Sequence, residues 1–305
     1  MNVLSLFDGI SVGQLALRNI GIIPDNYYAS EIDKNAIAVT QKHFPNTIQI
    51  GDVQSINPDD LLKIDILFGG FPCQDFSMAG KQAGLSGQRG GLFFELLRVF
   101  RAVKPKYFLF ENVVMQPEIL RYISSEIGIE PVLIDSSKFS AQHRKRFYWT
   151  NINFSKTYPN SNETVRDILE HSNLDQCRVF SNPDFKTPKA HFPTKKIATI
   201  GNYQGDRIFS LDGKSCTLIA AGGGKCGQTG LYAFNIQDNI IHSRKLTPIE
   251  AERLQTLPDN YTEGFSNTAR FHMIGNSWTV RVIEHILSGI LSDPRPLSTN
   301  ISSYN

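Results

Sequence analysis

The sequence predicts an α/β protein: a doubly wound, mostly parallel sheet with a second, smaller, mainly β module. Three observations lead there. Short apolar runs alternate with helical patterns through the first half of the chain. From about residue 170 to 245 the chain becomes polar, turn-rich and short of helical pattern. Helical pattern then resumes over 248–257 and again over 277–291.

Each element has its own signal. Val3, Leu4 and Leu6 open a strand over 3–7. Val12, Leu15, Ala16 and Ile20 recur on one face, which makes 12–20 a helix. A strand over 27–30, a helix over 35–43 and a strand over 47–50 follow. Ile64, Ile66, Leu67 and Phe68 form a buried strand, and 91–103 reads as a longer helix. A fifth strand over 107–110 and a helix near 117–127 come next, and strands over 132–135 and 147–151 close the series. That alternation implies right-handed crossovers with helices on both faces of the sheet. The tail over 293–305, rich in Pro, Ser and Asn, reads as loose.

Composition narrows the class. A chain of 305 residues allows two domains and a large core. A net charge of +2 allows a nucleic-acid partner only if basic groups cluster. Lys186, Lys189, Lys195, Lys196 and Arg207 form such a run against Asp206 alone, although a run of this kind is usually just a solvated face. Cys73, Cys177, Cys216 and Cys226 form no CxxC pair, so no metal site is expected, and they read as unpaired thiols of a reducing compartment. No apolar run is long enough to span a bilayer, and strand-like sequence begins at once. The expectation is a cytoplasmic protein.

Two sets of residues suggest chemistry. In GGFPCQDFS, Cys73 follows a buried strand and two glycines, where α/β proteins place reactive groups. Its thiol, with an ordinary pKa of about 8.5, needs activation to act as a nucleophile. In SLFDGISVG a strand ends in a glycine turn that opens a helix, without the GxGxxG dinucleotide pattern. Glu31 and Asp52 follow the next two strands. They suit a ribose and an adenine amino group, as in a phosphate-free ligand such as S-adenosylmethionine; alternatively they cap the helices that follow.

These segments together resemble the DNA cytosine-5 methyltransferases. The ordered series is SLFDGISVG, SEID, GDV, GGFPCQDFS, ENVV at 111–114, QHRKR at 142–146, RKLTPIEAERLQTLP at 244–258 and GNS at 275–277, covering nearly the whole chain. Ser11 and Val12 stand where that family often has glycine, and Trp278 where a smaller apolar residue is usual.

The resemblance implies a methyltransferase fold and a set of roles. Cys73 is then the nucleophile toward carbon 6 of cytosine, and Glu111 binds ring nitrogen 3 and the amino group. Arg146 holds the ring carbonyl, and Arg144 supports it near the nucleophile. Phe7, Gly9, Ile10, Glu31, Ile32, Asp52, Pro72, Leu92 and Asn276 fall where the family contacts S-adenosylmethionine. Gln74 and the segment up to Arg89 resemble the loop that closes over DNA. Gln204, Arg207, Thr217, Gly222 and Gly223 fall in segments resembling recognition loops, with Arg207 suited to a guanine beside the target.

The expected organisation is a catalytic domain over 1–170, a target-recognition domain over 171–245, a hinge over 246–274 and a return to the catalytic domain over 275–305. The expected partner is double-stranded DNA, with a monomeric enzyme and a cognate restriction endonuclease at the same site. A transfer-RNA cytosine-5 methyltransferase and a catalytically silent DNA-binding relative are the competing readings.

Overall fold

The computed structural model describes residues 1–72, 90–170, 177–181, 184–185, 193–201, 206–220 and 229–294. The chain forms two compact units. The first comprises Met1–Ile134, Lys145–Lys156 and Ile283–Asn305; the second comprises Asp135–Arg144 and Thr157–Val282.

The first unit is built on a seven-stranded sheet. Its strands are β1 (Asn2–Leu6), β2 (Asn26–Ser30), β3 (Ile48–Gln49), β4 (Ile66–Gly69), β5 (Tyr107–Val113), β6 (Val132–Asp135) and β7 (Lys145–Thr150). They lie in the order β3-β2-β1-β4-β5-β7-β6. β1 pairs in parallel with β2 on one side and β4 on the other, and β4 pairs in parallel with β5. Strand order therefore reverses between β1 and β4, the place where open α/β sheets bind ligands at their carboxyl ends. β7 runs antiparallel to β5, placing Tyr148 opposite Glu111 and Arg146 opposite Val113.

The helices follow the expected crossovers: α1 (Val12–Asn19), α2 (Lys34–His43), α3 (Gly90–Val103) and α4 (Pro117–Ile127). α2 starts at Asp33, whose side chain accepts the Asn35 N–H. α4 starts with Pro117 in its first turn and stops at Gly128 in the left-handed conformation. α1 packs so closely on the sheet that a Cβ at Gly13 would lie 2.6 Å from Phe68. Leu4, Leu6, Phe71, Phe93, Leu96, Phe108, Phe110 and Trp149 share one buried cluster. The Trp149 indole N–H donates to Ser124 Oγ at 3.0 Å, so the ring is buried without an unpaired donor.

The second unit carries the mainly β module as a six-stranded sheet. Its strands are β8 (Arg178–Ser181), β9 (Asp184–Phe185), β10 (Lys196–Thr199), β11 (Arg207–Ser210), β12 (Leu231–Gln237) and β13 (Ile240–Arg244), in the order β8-β13-β12-β11-β10-β9. All pairings are antiparallel except β11 with β12. Asp238 and Asn239, both at positive φ, make the tight turn between β12 and β13. Ala198, Ile208, Leu231, Ala233 and Ile241 form its core.

After the sheet come α5 (Pro248–Leu254), α6 (Asn267–Asn276) and α7 (Val280–Leu291). α5 opens with a capping box between Thr247 and Glu250. Glu250 is fully buried and meets the Arg244 guanidinium through two bonds of 2.7 Å. Glu252, equally buried, binds Arg270, Thr262 and the Asn260 N–H. Both buried carboxylates are thus paired and hydrogen-bonded, beside the buried Ala251 and Leu254 of the same helix. No helix among the described residues is long and apolar enough to cross a membrane.

Two expectations differ from the structure. The helix expected over 277–291 begins at Val280, because Ser277 and Thr279 are engaged elsewhere: the Gln255 side chain donates to the Ser277 carbonyl and accepts from the Thr279 hydroxyl. The helix Asn267–Asn276 carries no clear apolar stripe and has no counterpart among the expected elements.

Candidate active site

The carboxyl ends of β1, β2 and β3 are tied together by a short chain of hydrogen bonds. After β1, Phe7, Gly9 and Ser11 all take positive φ, so the chain turns sharply before α1. For Phe7 and Ser11 that conformation is costly and must be held by neighbours. The Asp8 N–H donates to the Ser30 carbonyl at 3.1 Å, and the Gly9 N–H to Glu31 Oε2 at 2.8 Å. Glu31 Oε1 accepts the Ile32 and Asp33 N–H groups at 2.7 and 2.8 Å. The Ser30 hydroxyl donates to the Gly51 carbonyl at 2.8 Å, and Asp52 accepts the Gln54 N–H at 3.0 Å. Glu31 and Asp52 thus both bind backbone N–H groups; Glu31 Oε1 is filled by two donors, while Glu31 Oε2 and the Asp52 carboxylate retain capacity for a further donor.

The residues at these strand ends fit an adenosine-type ligand. Ile32 is 70% exposed beside the Glu31 carboxylate, an apolar surface next to an acceptor. Phe7, Pro72 and Leu92 are half-buried, and Ile10 is buried. Asn276 is exposed on α6, with its amide 3.5 Å from His272 Nε2.

Asp8 was not a candidate from sequence, yet it organises the turn. Its carboxylate accepts the Tyr27 hydroxyl at 2.8 Å and also the Ser11 hydroxyl. Burial pushes its pKa from 3.8 up to about 6; bonds from Ser11, Ser5 and Tyr27 pull the other way, and the Glu31 charge adds to the rise. Burial, with the nearby Asp8 charge, holds the Tyr27 phenol well above its ordinary value. Only the side-by-side pairing of β1 and β2 creates this contact, so nothing in the local sequence announces it.

A second group lies at the ends of β4, β5 and β7. Glu111 is 8% exposed and receives the Arg146 Nε–H at 2.9 Å. Arg146 also donates from Nη1 to the Lys145 carbonyl at 2.8 Å, which fixes its guanidinium plane. The structure therefore brings together a carboxylate and a guanidinium that lie far apart in sequence. Beside them the Asn112 amide donates to the Phe71 carbonyl at 3.2 Å. Cys73, Gln74 and Arg89 lie outside the described residues, as do Gln204, Gly222 and Gly223 of the second unit.

Within the second unit, Arg144 is buried and its guanidinium donates to the carbonyls of Leu218, Gly275 and Ser277 at 3.0, 3.2 and 3.1 Å. The Thr217 hydroxyl donates to the His143 carbonyl at 2.8 Å. Gln142 completes the knot: its amide donates to the Leu254 carbonyl and its oxygen accepts the Leu218 N–H. Arg207 opens β11, with its guanidinium 5.8 Å from the centre of the Phe209 ring.

Comparison with known proteins agrees with these motifs. Residues 1–292 match the C-5 cytosine-specific DNA methylase family. The type II methyltransferase M.HhaI of Haemophilus parahaemolyticus is 31% identical, across 95% of this chain and 94% of its own length. The type II methyltransferase M.HpaII of Haemophilus parainfluenzae is 28% identical, across 92% and 86%. Among solved structures, the Entamoeba histolytica methyltransferase EhMeth superposes with a TM-score of 0.71 at 17% identity, covering 97% of this chain and 99% of that one. A putative DNA modification methyltransferase from an E. coli prophage gives 0.61 at 19% identity, covering 96% and 99%. With a match that spans the sheet, the Glu111–Arg146 pair and the segments of the second unit, the chain belongs to the C-5 cytosine-specific DNA methylase family.

Proposed function

We propose that this protein methylates carbon 5 of a cytosine flipped out of a specific double-stranded DNA site, using Cys73 as a covalent nucleophile. The observation that carries the reading is the Glu111–Arg146 pair, held at 2.9 Å between β7 and β5, the strand that pairs with β4 just before the GGFPC motif. A stacked cytosine cannot reach a side chain at a sheet end, so the base leaves the duplex at a cost of about a few kcal/mol. The Cys73 thiolate then bonds to carbon 6, and the ring electrons move onto carbon 5, nitrogen 3 and the carbonyl oxygen. Glu111, sharing a proton with nitrogen 3, and Arg146, donating to the carbonyl oxygen, stabilise that charge. S-adenosylmethionine, when bound, supplies an electrophilic methyl group on a sulfonium. Carbon 5 afterwards loses its hydrogen as a proton, and the sulfur–carbon 6 bond breaks to return the thiolate.

Phe7, Gly9, Ile10, Glu31, Ile32, Asp52, Pro72, Leu92 and Asn276 hold the cofactor, with Glu31 as ribose acceptor and the exposed Ile32 against the adenine. Residues 171–245 choose the site, within a second compact unit that extends beyond them. Gln204, Arg207, Thr217, Gly222 and Gly223 contact the DNA there, and Arg207 reads a guanine next to the target. Gln74 and Arg89 belong to a loop that closes over the duplex. Arg144 acts indirectly, by locking the segments around it. Residues 246–274 serve as hinge, and 275–305 return to the catalytic domain. The enzyme works as a cytoplasmic monomer alongside an endonuclease of the same specificity.

The test offers labelled S-adenosylmethionine with either duplex DNA or transfer RNA, and maps the product by bisulfite sequencing. The expected result is a label at one duplex sequence, abolished in Cys73→Ser and reduced about 10²- to 10⁴-fold in Glu111→Gln. Labelling of RNA alone would overturn the substrate. An active Cys73→Ser protein would overturn the mechanism.

A further inference from the structure

The nucleophile proposed above follows Phe71 and Pro72, and Phe71 is fixed from two sides. Its ring is buried against Phe93, with centroids 5.1 Å apart, and faces Trp149 at 6.4 Å. Its carbonyl accepts the Asn112 amide at 3.2 Å, a bond made in a buried environment. Asn112 is 1% exposed, and its side-chain oxygen accepts the Val113 N–H at 2.7 Å. The amide orientation is therefore set at both ends, oxygen to one partner and nitrogen to the other.

Consecutive side chains of a strand point to opposite faces. Glu111 and Asn112 are adjacent in β5. One turns to Arg146, the other to the chain that leads into Cys73. Two trans residues span at most about 7 Å, and proline fixes φ at the second of them. The Phe71 carbonyl is therefore separated from the nucleophile by a single proline whose φ is fixed.

Resting on the assignment of Cys73 as nucleophile, we propose that Asn112 is a positioning residue: its amide holds the Phe71 carbonyl and so sets where the thiol stands relative to the Glu111 carboxyl. It touches no substrate in this role. Losing the bond leaves the cofactor turn after β1 untouched and misplaces the attacking sulfur, an error to which covalent steps are very sensitive.

Asn112→Asp is the sharpest probe, because it keeps the acceptor for Val113 and removes the donor to Phe71. Single-turnover methylation should slow about 10- to 100-fold, while KM for S-adenosylmethionine and for duplex DNA stays within about 2-fold. Wild-type protein assayed in parallel with 5-fluorocytosine duplex should form the Cys73 adduct, and Asn112→Asp should form it more slowly by the same factor. A variant as fast as wild type would overturn the positioning role and leave the nucleophile standing. Wild-type protein that methylates without a Cys73 adduct would overturn both. Asn112→Ser covers the case in which the buried carboxylate is not tolerated. Its melting temperature and cofactor affinity report folding, and a folded Ser variant with the wild-type rate equally overturns the role.

Discussion

Replacing Asp8 with asparagine should change how the stability of the first unit depends on pH. The carboxyl is held between the Tyr27 and Ser11 hydroxyls, and burial raises its pKa from 3.8 to about 6. A carboxyl raised in the folded state contributes most below its unfolded value, and that contribution fades as pH rises through the folded value. The window is therefore about pH 4 to 6. The full shift of roughly two units corresponds to about 3 kcal/mol, of which about 1.4 kcal/mol falls between pH 5 and 7.5. Asparagine has no charge to bury and keeps an oxygen for Tyr27 or Ser11. The assay is urea unfolding followed by Trp149 emission in a Trp278→Phe background, since the chain has two tryptophans and Trp149 is fully buried. The stability of Asp8→Asn relative to Asp8 should rise by about 1.4 kcal/mol from pH 5 to 7.5, with equal m-values. Parallel pH profiles for the two proteins would show that Asp8 ionises normally and would refute this account of the turn.

Two further outcomes rest on packing and charge. Gly13→Ala puts a methyl group 2.6 Å from the Phe68 ring and should cost about 1–3 kcal/mol in the same unfolding assay; an unchanged midpoint would mean that α1 lifts away without penalty. Glu250→Ala strands the buried Arg244 guanidinium and removes the partner of the Thr247 and Glu170 N–H groups, so the second unit should lose about 3–5 kcal/mol by thermal or urea unfolding. A loss below about 1 kcal/mol would mean that Arg244 finds water or another partner at once.

Much of the sheet was readable because its central strands are continuous apolar runs. Ile66, Leu67 and Phe68 in β4 and Leu109 and Phe110 in β5 are all buried, which is the pattern expected of a strand covered on both faces. β3 was harder: only Ile48 and Gln49 pair with β2, because the chain turns away at Gly51. α6 was invisible, since Phe271, Met273 and Ile274 bury themselves among polar neighbours without a regular stripe. The site divides the same way. Cys73 and Glu111 stand in short motifs whose residue types declare a chemistry. Asp8 bonds to Tyr27 on β2 and Asn112 to Phe71 just after β4, and such contacts exist only once the strand order is known. Arg144, expected near the nucleophile from its motif, also donates to three backbone carbonyls of the second unit, contacts that no spacing of charged residues encodes.

The most direct measurement is the mass of the peptide carrying Cys73 after incubation with cofactor and a duplex that holds 5-fluorocytosine at the bisulfite-mapped position. Fluorine cannot leave carbon 5 as a proton does, so turnover should stall with the sulfur still attached to the ring. The account predicts a stoichiometric adduct on Cys73 in wild-type protein and none in Cys73→Ser. An adduct on Cys177, Cys216 or Cys226, or methylation of ordinary duplex that persists without the Cys73 sulfur, would contradict it.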